Sequence, residues 1–117
     1  MKISQKKINI SLKKEIEKAF IQSIADIKTI NESKHFLTDF LTKSEFETLS
    51  KRLAVAYWLK KGRSYENIKQ NLKVSSATIA SVQENFKKGG FQIVLKKLEA
   101  EEWANKWSVK IKKFVKR

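Results

Sequence analysis

The 117-residue sequence contains no cysteine and no proline, and it has only three glycines. Without cysteine there are no disulfides and no cysteine-based metal sites, and one histidine, His35, leaves no histidine cluster for a metal. No apolar run approaches transmembrane length, and none follows the basic N-terminus as it would in a signal peptide. The sequence therefore predicts a soluble cytoplasmic protein that binds no metal and does not enter a membrane.

Catalytic patterns are also missing from the sequence. We find no paired carboxylates in a plausible site, no nucleophile–histidine arrangement and no glycine-rich phosphate loop. An enzyme is therefore the least expected class, and we expect no cofactor. The length favours a single domain over residues 1–117, and the scarcity of proline and glycine favours an all-α fold.

Positive charge is abundant and unevenly placed. The net charge is +14, and residues 51–117 carry 17 basic against 5 acidic side chains, whereas residues 1–50 carry 9 against 7. Such a field attracts polyanions, nucleic acid first and acidic lipid second. A generally basic proteome or a device for solubility is the alternative explanation.

Apolar residues recur every three or four positions, which predicts about six helices. Ser11 and Ser64 are predicted N-caps, and Thr42 with Glu45 fits a capping box. The predicted helices cover residues 11–30, 32–41, 43–61, 64–72, 75 or 76 to before 89, and about 91 onward.

Three of these helices have an apolar face: we expect the face of the first to contact the core or a partner helix, that of the second to point inward and that of the sixth to be buried. On the first helix the face consists of Leu12, Ile16, Phe20, Ile24 and Ile27. On the second and sixth helices it consists of Phe36, Leu37, Phe40 and Leu41, and of Phe91, Val94, Leu95 and Leu98.

Residues 64–88 have the pattern of a helix-turn-helix, in which two helices pack steeply across a short turn. Ile68 and Leu72 supply the inner face of the first helix, Val74 plugs the turn, and Ile79 and Val82 supply the inner face of the second. Small residues on the outer face of the second helix would let its backbone approach a DNA major groove. The alternative is an ordinary helical hairpin with a solvent-exposed face.

The predicted DNA-binding residues lie in and just beyond this motif. Hydroxyls can contact phosphates or bases, alanine methyls can contact thymine methyls, and glutamine can read adenine. The full set is Lys69, Lys73, Ser75, Ser76, Ala77, Thr78, Ala80, Ser81, Gln83 and Lys87.

Residues 37–98 resemble the Trp-repressor-like family, and within it the YerC/YecD-type branch. The matching positions include Leu49, Gly62-Arg63-Ser64-Tyr65, Ile68-Lys69, Leu72 and Ser75-Ser76-Ala77-Thr78-Ile79. The resemblance implies an intertwined all-α homodimer whose recognition helices enter adjacent major grooves about 34 Å apart. It also implies that Ser76, Ala77 and Ala80 face bases, with Lys69 and Thr78 near phosphates.

The corepressor pocket of that family carries over only in part. Thr42 and Arg52 match two positions that help to hold tryptophan, but Ser81 and Val82 stand where the family has arginine and glycine. Serine offers no cation to the indole, and valine fills the space left by glycine. The resemblance therefore leaves a pocket remnant and predicts no tryptophan response.

The C-terminal extension, about residues 99–117, is basic and amphipathic. Residues 106–117 contain six basic side chains and no acid, with Trp107, Ile111 and Phe114 at helical spacing. It could dock on a dimer core with its lysines free for DNA, be a solvated tail, or lie on an anionic membrane.

These observations favour a sequence-specific regulator of transcription that binds double-stranded DNA as a homodimer at the nucleoid, and we expect it to be a repressor. Three alternatives stay open: a non-specific nucleoid-type binder, a DNA-targeting module of a mobile element, and a helical protein-interaction domain.

Overall fold

The computed structural model describes the backbone of residues 7–115 and the side chains of residues 7–102. Over this range the chain forms six helices and no strand, which confirms the all-α prediction. The helices are α1 (Ile10–Asp26), α2 (Ile30–Phe40), α3 (Lys43–Lys60), α4 (Tyr65–Leu72), α5 (Ser76–Asn85) and α6 (Gly89–Val115). The chain divides into two compact units, Met1–Lys43 and Ser44–Arg117, and each is described by itself.

In the first unit, two side-chain caps place the helix starts earlier than predicted. Asn9 caps α1, because its Oδ1 accepts hydrogen bonds from the amides of Ser11 (2.8 Å) and Leu12 (3.3 Å). The prediction of Ser11 as the N-cap was therefore wrong. Thr29 caps α2 by accepting a hydrogen bond from the amide of Glu32 at 3.0 Å. The extended backbone at Ile27 ends α1 at Asp26, short of the predicted residue 30.

The apolar faces of α1 and α2 are not covered within the first unit, where neither helix contains a buried residue. The inward placement of Leu37 and Phe40 was wrong for the isolated chain, because both side chains are exposed. Phe40 makes ring contacts with Phe20 and Phe36, at centroid distances of 5.6 and 5.0 Å. The predicted stripe on α1 is exposed at four positions, Leu12, Ile16, Phe20 and Ile24, and half-buried at Ile27.

The second unit contains a small core to which four helices contribute. Its buried residues are Val55 and Ala56 of α3, Ile68 of α4, Ile79 and Val82 of α5, and Leu95 of α6. Half-buried apolar side chains, among them Leu72, Val74 and Phe86, pack around them. The predicted inner face of the helix-turn-helix is therefore confirmed.

A Schellman motif ends α3 and turns the chain toward α4. The amide of Arg63 donates to the carbonyl of Trp58 (3.1 Å), and the amide of Gly62 donates to the carbonyl of Leu59 (3.0 Å). Gly62 has a φ of 80°, a left-handed conformation that glycine adopts without steric cost. The guanidinium of Arg63 lies 4.0 Å from the centroid of the Trp58 ring.

The sixth helix begins at Gly89 rather than near Phe91. The prediction treated the glycine pair as a break, but these residues form the first turn, where the side chain of Gln92 donates to the carbonyl of Phe86 at 2.7 Å. Leu95 is buried as expected, whereas Val94 is exposed, so its predicted inward position was wrong.

Ion pairs join α6 to the end of α3 and the residue that follows it. Lys60 lies 3.5 Å from Glu99, and Lys61 lies 3.1 Å from Glu102. The predicted amphipathic character of residues 103–117 concerns side chains outside the described residues. Among the described residues, no helix combines the length and hydropathy that crossing a membrane requires.

Candidate nucleic-acid interface

The two helices of the motif both start on a serine. The Oγ of Ser64 accepts a hydrogen bond from the amide of Asn67 at 3.1 Å, and the Oγ of Ser75 accepts one from the amide of Thr78 at 3.1 Å. Each cap satisfies a backbone donor that the first helical turn leaves free. These two serines therefore determine where α4 and α5 begin.

Lys73 makes the turn possible by taking a left-handed conformation, with φ 55° and ψ 50°. It is the one non-glycine residue with positive φ in the described part of the chain. For a residue with a Cβ atom this conformation costs about 1–2 kcal/mol. Glycine is frequent at this turn position, and the expectation that Lys73 adopts a conformation open to any residue was wrong, because its backbone is left-handed.

Over the first two turns of α5, the outer face consists of small, exposed side chains. With Ile79 and Val82 buried, the opposite side of the helix presents Ser76, Ala77, Ala80 and Ser81. A helix with so little side-chain volume on one face can lie close to another surface.

The other predicted DNA-binding residues differ in their exposure and in their position around the helix. Thr78 is half-buried, and its hydroxyl lies 3.0 Å from that of Ser75, so it takes part in the helix cap. Gln83 is exposed but follows Val82 directly, which places it about 100° around the helix from a buried position, on the flank of the face. Lys69 and Lys87 are exposed.

Glu84 was missed by the sequence interpretation. It is exposed, and it follows Ala77 by seven residues and Ala80 by four, the spacing of one helix face. The same periodicity that identified the small residues would have found it.

A groove of about 450 Å³ lies between α3 and α5. It is lined by Thr48, Arg52, Ala77, Thr78, Ser81 and Val82. Three predicted members of the pocket remnant, Arg52, Ser81 and Val82, are therefore brought together. The fourth, Thr42, belongs to the first unit, and the sequence interpretation missed Thr48, which precedes Arg52 by one helical turn.

Arg52 is exposed and makes no ion pair or hydrogen bond with any residue in the described part of the chain. We expect Arg52 to serve an ion pair or a phosphate; no ion pair to it is found among the described residues, and contact with a phosphate stays a prediction. Among the described residues, no cluster of histidine, cysteine, aspartate or glutamate could hold a metal ion.

Comparison with known proteins connects this geometry to a family. The family model of the Trp repressor protein matches residues 15–99. The chain is also 31% identical over 91 residues to the uncharacterized protein YerC of Bacillus subtilis (strain 168), an alignment that covers 76% of this chain and 86% of that relative. No solved structure matches the chain significantly. This match runs from within α1 to the first part of α6 and includes the helix-turn-helix, so the chain belongs to the Trp repressor family.

Proposed function

We propose that this protein is a sequence-specific, double-stranded DNA-binding regulator of transcription that acts as a homodimeric repressor without tryptophan. The outer face of α5 is the observation that carries the proposal. Its small exposed residues, Ser76, Ala77, Ala80 and Ser81, are held outward by the buried Ile79. Membership of the Trp repressor family supports DNA binding and regulation over catalysis.

Two sources of binding energy follow from the composition. The charge of +12 over residues 51–117 draws the protein to the phosphate backbone and makes its affinity depend on salt. Specificity comes from the base edges that the face of α5 reaches in the major groove. Such a regulator acts where the chromosome is, at the nucleoid in the cytoplasm.

The uncovered apolar face of α1 supports a homodimer. Phe20 is 45% exposed and Ile24 is 51% exposed, although both belong to a stripe of helical spacing. Contiguous apolar patches on a protein surface mark sites of association. A second copy of the chain would cover this face and hold two recognition helices at a fixed separation.

L-Tryptophan is expected not to bind, because the groove lacks the parts that would hold an indole. Ser81 supplies no guanidinium to stack on the ring, and Val82 is buried in the core, where glycine would leave space. Isothermal calorimetry of the full chain with L-tryptophan should show no saturable heat. Binding at micromolar concentration would contradict the expectation.

Replacing Lys73 with glycine tests two properties of this residue: the strain of its left-handed backbone and the contribution of its charge to DNA binding. We expect the free energy of unfolding to rise by about 1 kcal/mol as left-handed strain is relieved, partly offset by the greater freedom of glycine in the unfolded chain. If Lys73 binds a phosphate, the slope of log K against log salt falls by about 1. Urea denaturation and DNA titrations across salt concentrations measure the two effects.

Lys73→Asn provides a second variant, because asparagine tolerates the left-handed conformation and carries no charge. It should reproduce the change in slope. A slope unchanged in both variants would remove Lys73 from the interface.

A non-specific nucleoid-type binder, or a DNA-targeting module of a mobile element, is the second candidate, favoured by the concentration of positive charge after residue 50. Selection from a pool of duplexes with randomised centres distinguishes it from a specific regulator. The proposed function predicts an enriched sequence that binds at least a thousandfold more tightly than the starting pool, on the order typical of specific regulators. A ratio near one would favour the second candidate.

A further inference from the structure

An acidic side chain lies on the face of α5 that we assign to DNA. Glu84 is exposed, one helical turn beyond Ala80, and no other residue in the described part of the chain pairs with it. Lys87 and Lys88 follow three and four residues later, yet neither approaches within the 4.0 Å of an ion pair. By contrast, Glu99 and Glu102 on α6 are each paired with a lysine.

A carboxylate on this surface meets two very different environments in DNA. Beside a phosphate it is repelled, since both groups are negative and neither can donate a hydrogen bond. Beside a base edge in the major groove it can accept a hydrogen bond, and the N4 amino group of cytosine is the donor that glutamate and aspartate match. The same side chain therefore opposes binding at most sequences and supports it at some.

We propose that Glu84 is a specificity-determining residue that accepts a hydrogen bond from the N4 amino group of a cytosine in the major groove. This inference rests on the proposed function, because it requires the outer face of α5 to lie in that groove. Repulsion from phosphates at unmatched sequences means that Glu84 lowers the affinity for incorrect sites as well as raising it for the correct one. Glu84 thereby limits the non-specific affinity that a net charge of +14 would otherwise give.

The test compares two isosteric, charge-matched substitutions in the full chain. Glu84→Gln removes the charge from the face of α5, whereas Glu101→Gln removes the same charge from an exposed position on α6. The two DNA probes are the duplex selected by the wild-type protein and the unselected random pool. For Glu84→Gln we expect affinity for the random pool to rise severalfold and the ratio of selected to random affinity to fall roughly tenfold.

Glu84→Asp distinguishes the effect of the charge from that of side-chain length, because it keeps the carboxylate and shortens the side chain by one methylene. It should retain the low affinity for the random pool and still lose preference for cytosine at one position when the selection is repeated. Glu101→Gln should change both affinities by the same small factor and leave the ratio unchanged.

The proposal is overturned if Glu84→Gln leaves the ratio at its wild-type value, or if Glu101→Gln lowers it equally. It is also overturned if repeated selection with Glu84→Ala, which removes the acceptor oxygen that glutamine keeps, returns the wild-type sequence at every position. Failure of the proposed function itself is a different result, because the wild-type protein would then show a ratio near one before any substitution is made.

Discussion

Replacing Ala80 with phenylalanine is expected to weaken binding of the selected duplex by roughly a hundredfold while leaving the chain folded. Ala80 is exposed at the centre of the small face of α5, so a ring at this position meets solvent in the free protein. In the complex the ring would hold the helix away from the base edges, and each lost base contact costs about 1–3 kcal/mol. Fluorescence anisotropy with a labelled duplex measures the change.

Ala100→Phe is the matched control for this effect. Ala100 is also exposed and helical, but it lies on α6, away from the face of α5. Phenylalanine at either position costs about 0.5 kcal/mol of helix propensity, so thermal unfolding should change little and similarly in both variants. Wild-type affinity in Ala80→Phe, or equal losses in the two variants, would contradict the assignment of this face to DNA.

Replacing Ile24 with lysine is expected to convert the proposed homodimer into monomers and thereby to reduce DNA affinity. Ile24 is 51% exposed in the single chain, so the substitution costs little within one subunit. A second copy covering the face would bury the new charge without a partner, at a cost of several kcal/mol. Analytical ultracentrifugation should show half the wild-type mass. The affinity for the duplex should fall, because the two recognition helices are no longer linked.

Gln22→Lys places the same charge on α1 but on the opposite side of the helix. Gln22 is exposed and contacts Asp26 at 3.0 Å, and a lysine there can pair with the same carboxylate. This control should remain dimeric and bind DNA normally. A wild-type protein that sediments as a monomer, or Ile24→Lys that stays dimeric, would show that the α1 face is not the dimer contact.

The helix-turn-helix could be predicted from the sequence because its determinants are local. The spacing of Ile68, Ile79 and Val82 sets the inner face, and Ser64 and Ser75 cap the helices within three residues of themselves. Side-chain capping and helical periodicity need no knowledge of distant contacts. The left-handed conformation of Lys73 was not predicted, because residue spacing carries no information on the sign of φ.

The predictions failed where two neighbouring residues could both cap a helix, and where an apolar face could be covered by a second chain. Asn9 and Ser11 are both good N-cap residues, and the structure shows that Asn9 is the one that caps α1. Periodicity found the stripe on α1 but could not say what covers it, because an apolar face looks the same in the sequence whether it packs inside one chain or against another.

The groove between α3 and α5 illustrates a further limit of the sequence. Arg52, Ser81 and Val82 were grouped by a resemblance, whereas Thr48 joins them through the crossing of two helices, which sequence spacing alone does not specify.

Because the sequence contains no cysteine, a single substitution creates a unique thiol. Such a thiol can test directly whether DNA covers the face of α5. Ala80→Cys places the thiol at the centre of the face, and Ala100→Cys places it on α6. The measurement is the rate of thiol alkylation with and without the selected duplex. We predict that DNA slows alkylation of Ala80→Cys strongly and leaves Ala100→Cys unaffected. Equal rates with and without DNA at Ala80→Cys, under conditions where the duplex is bound, would contradict the account.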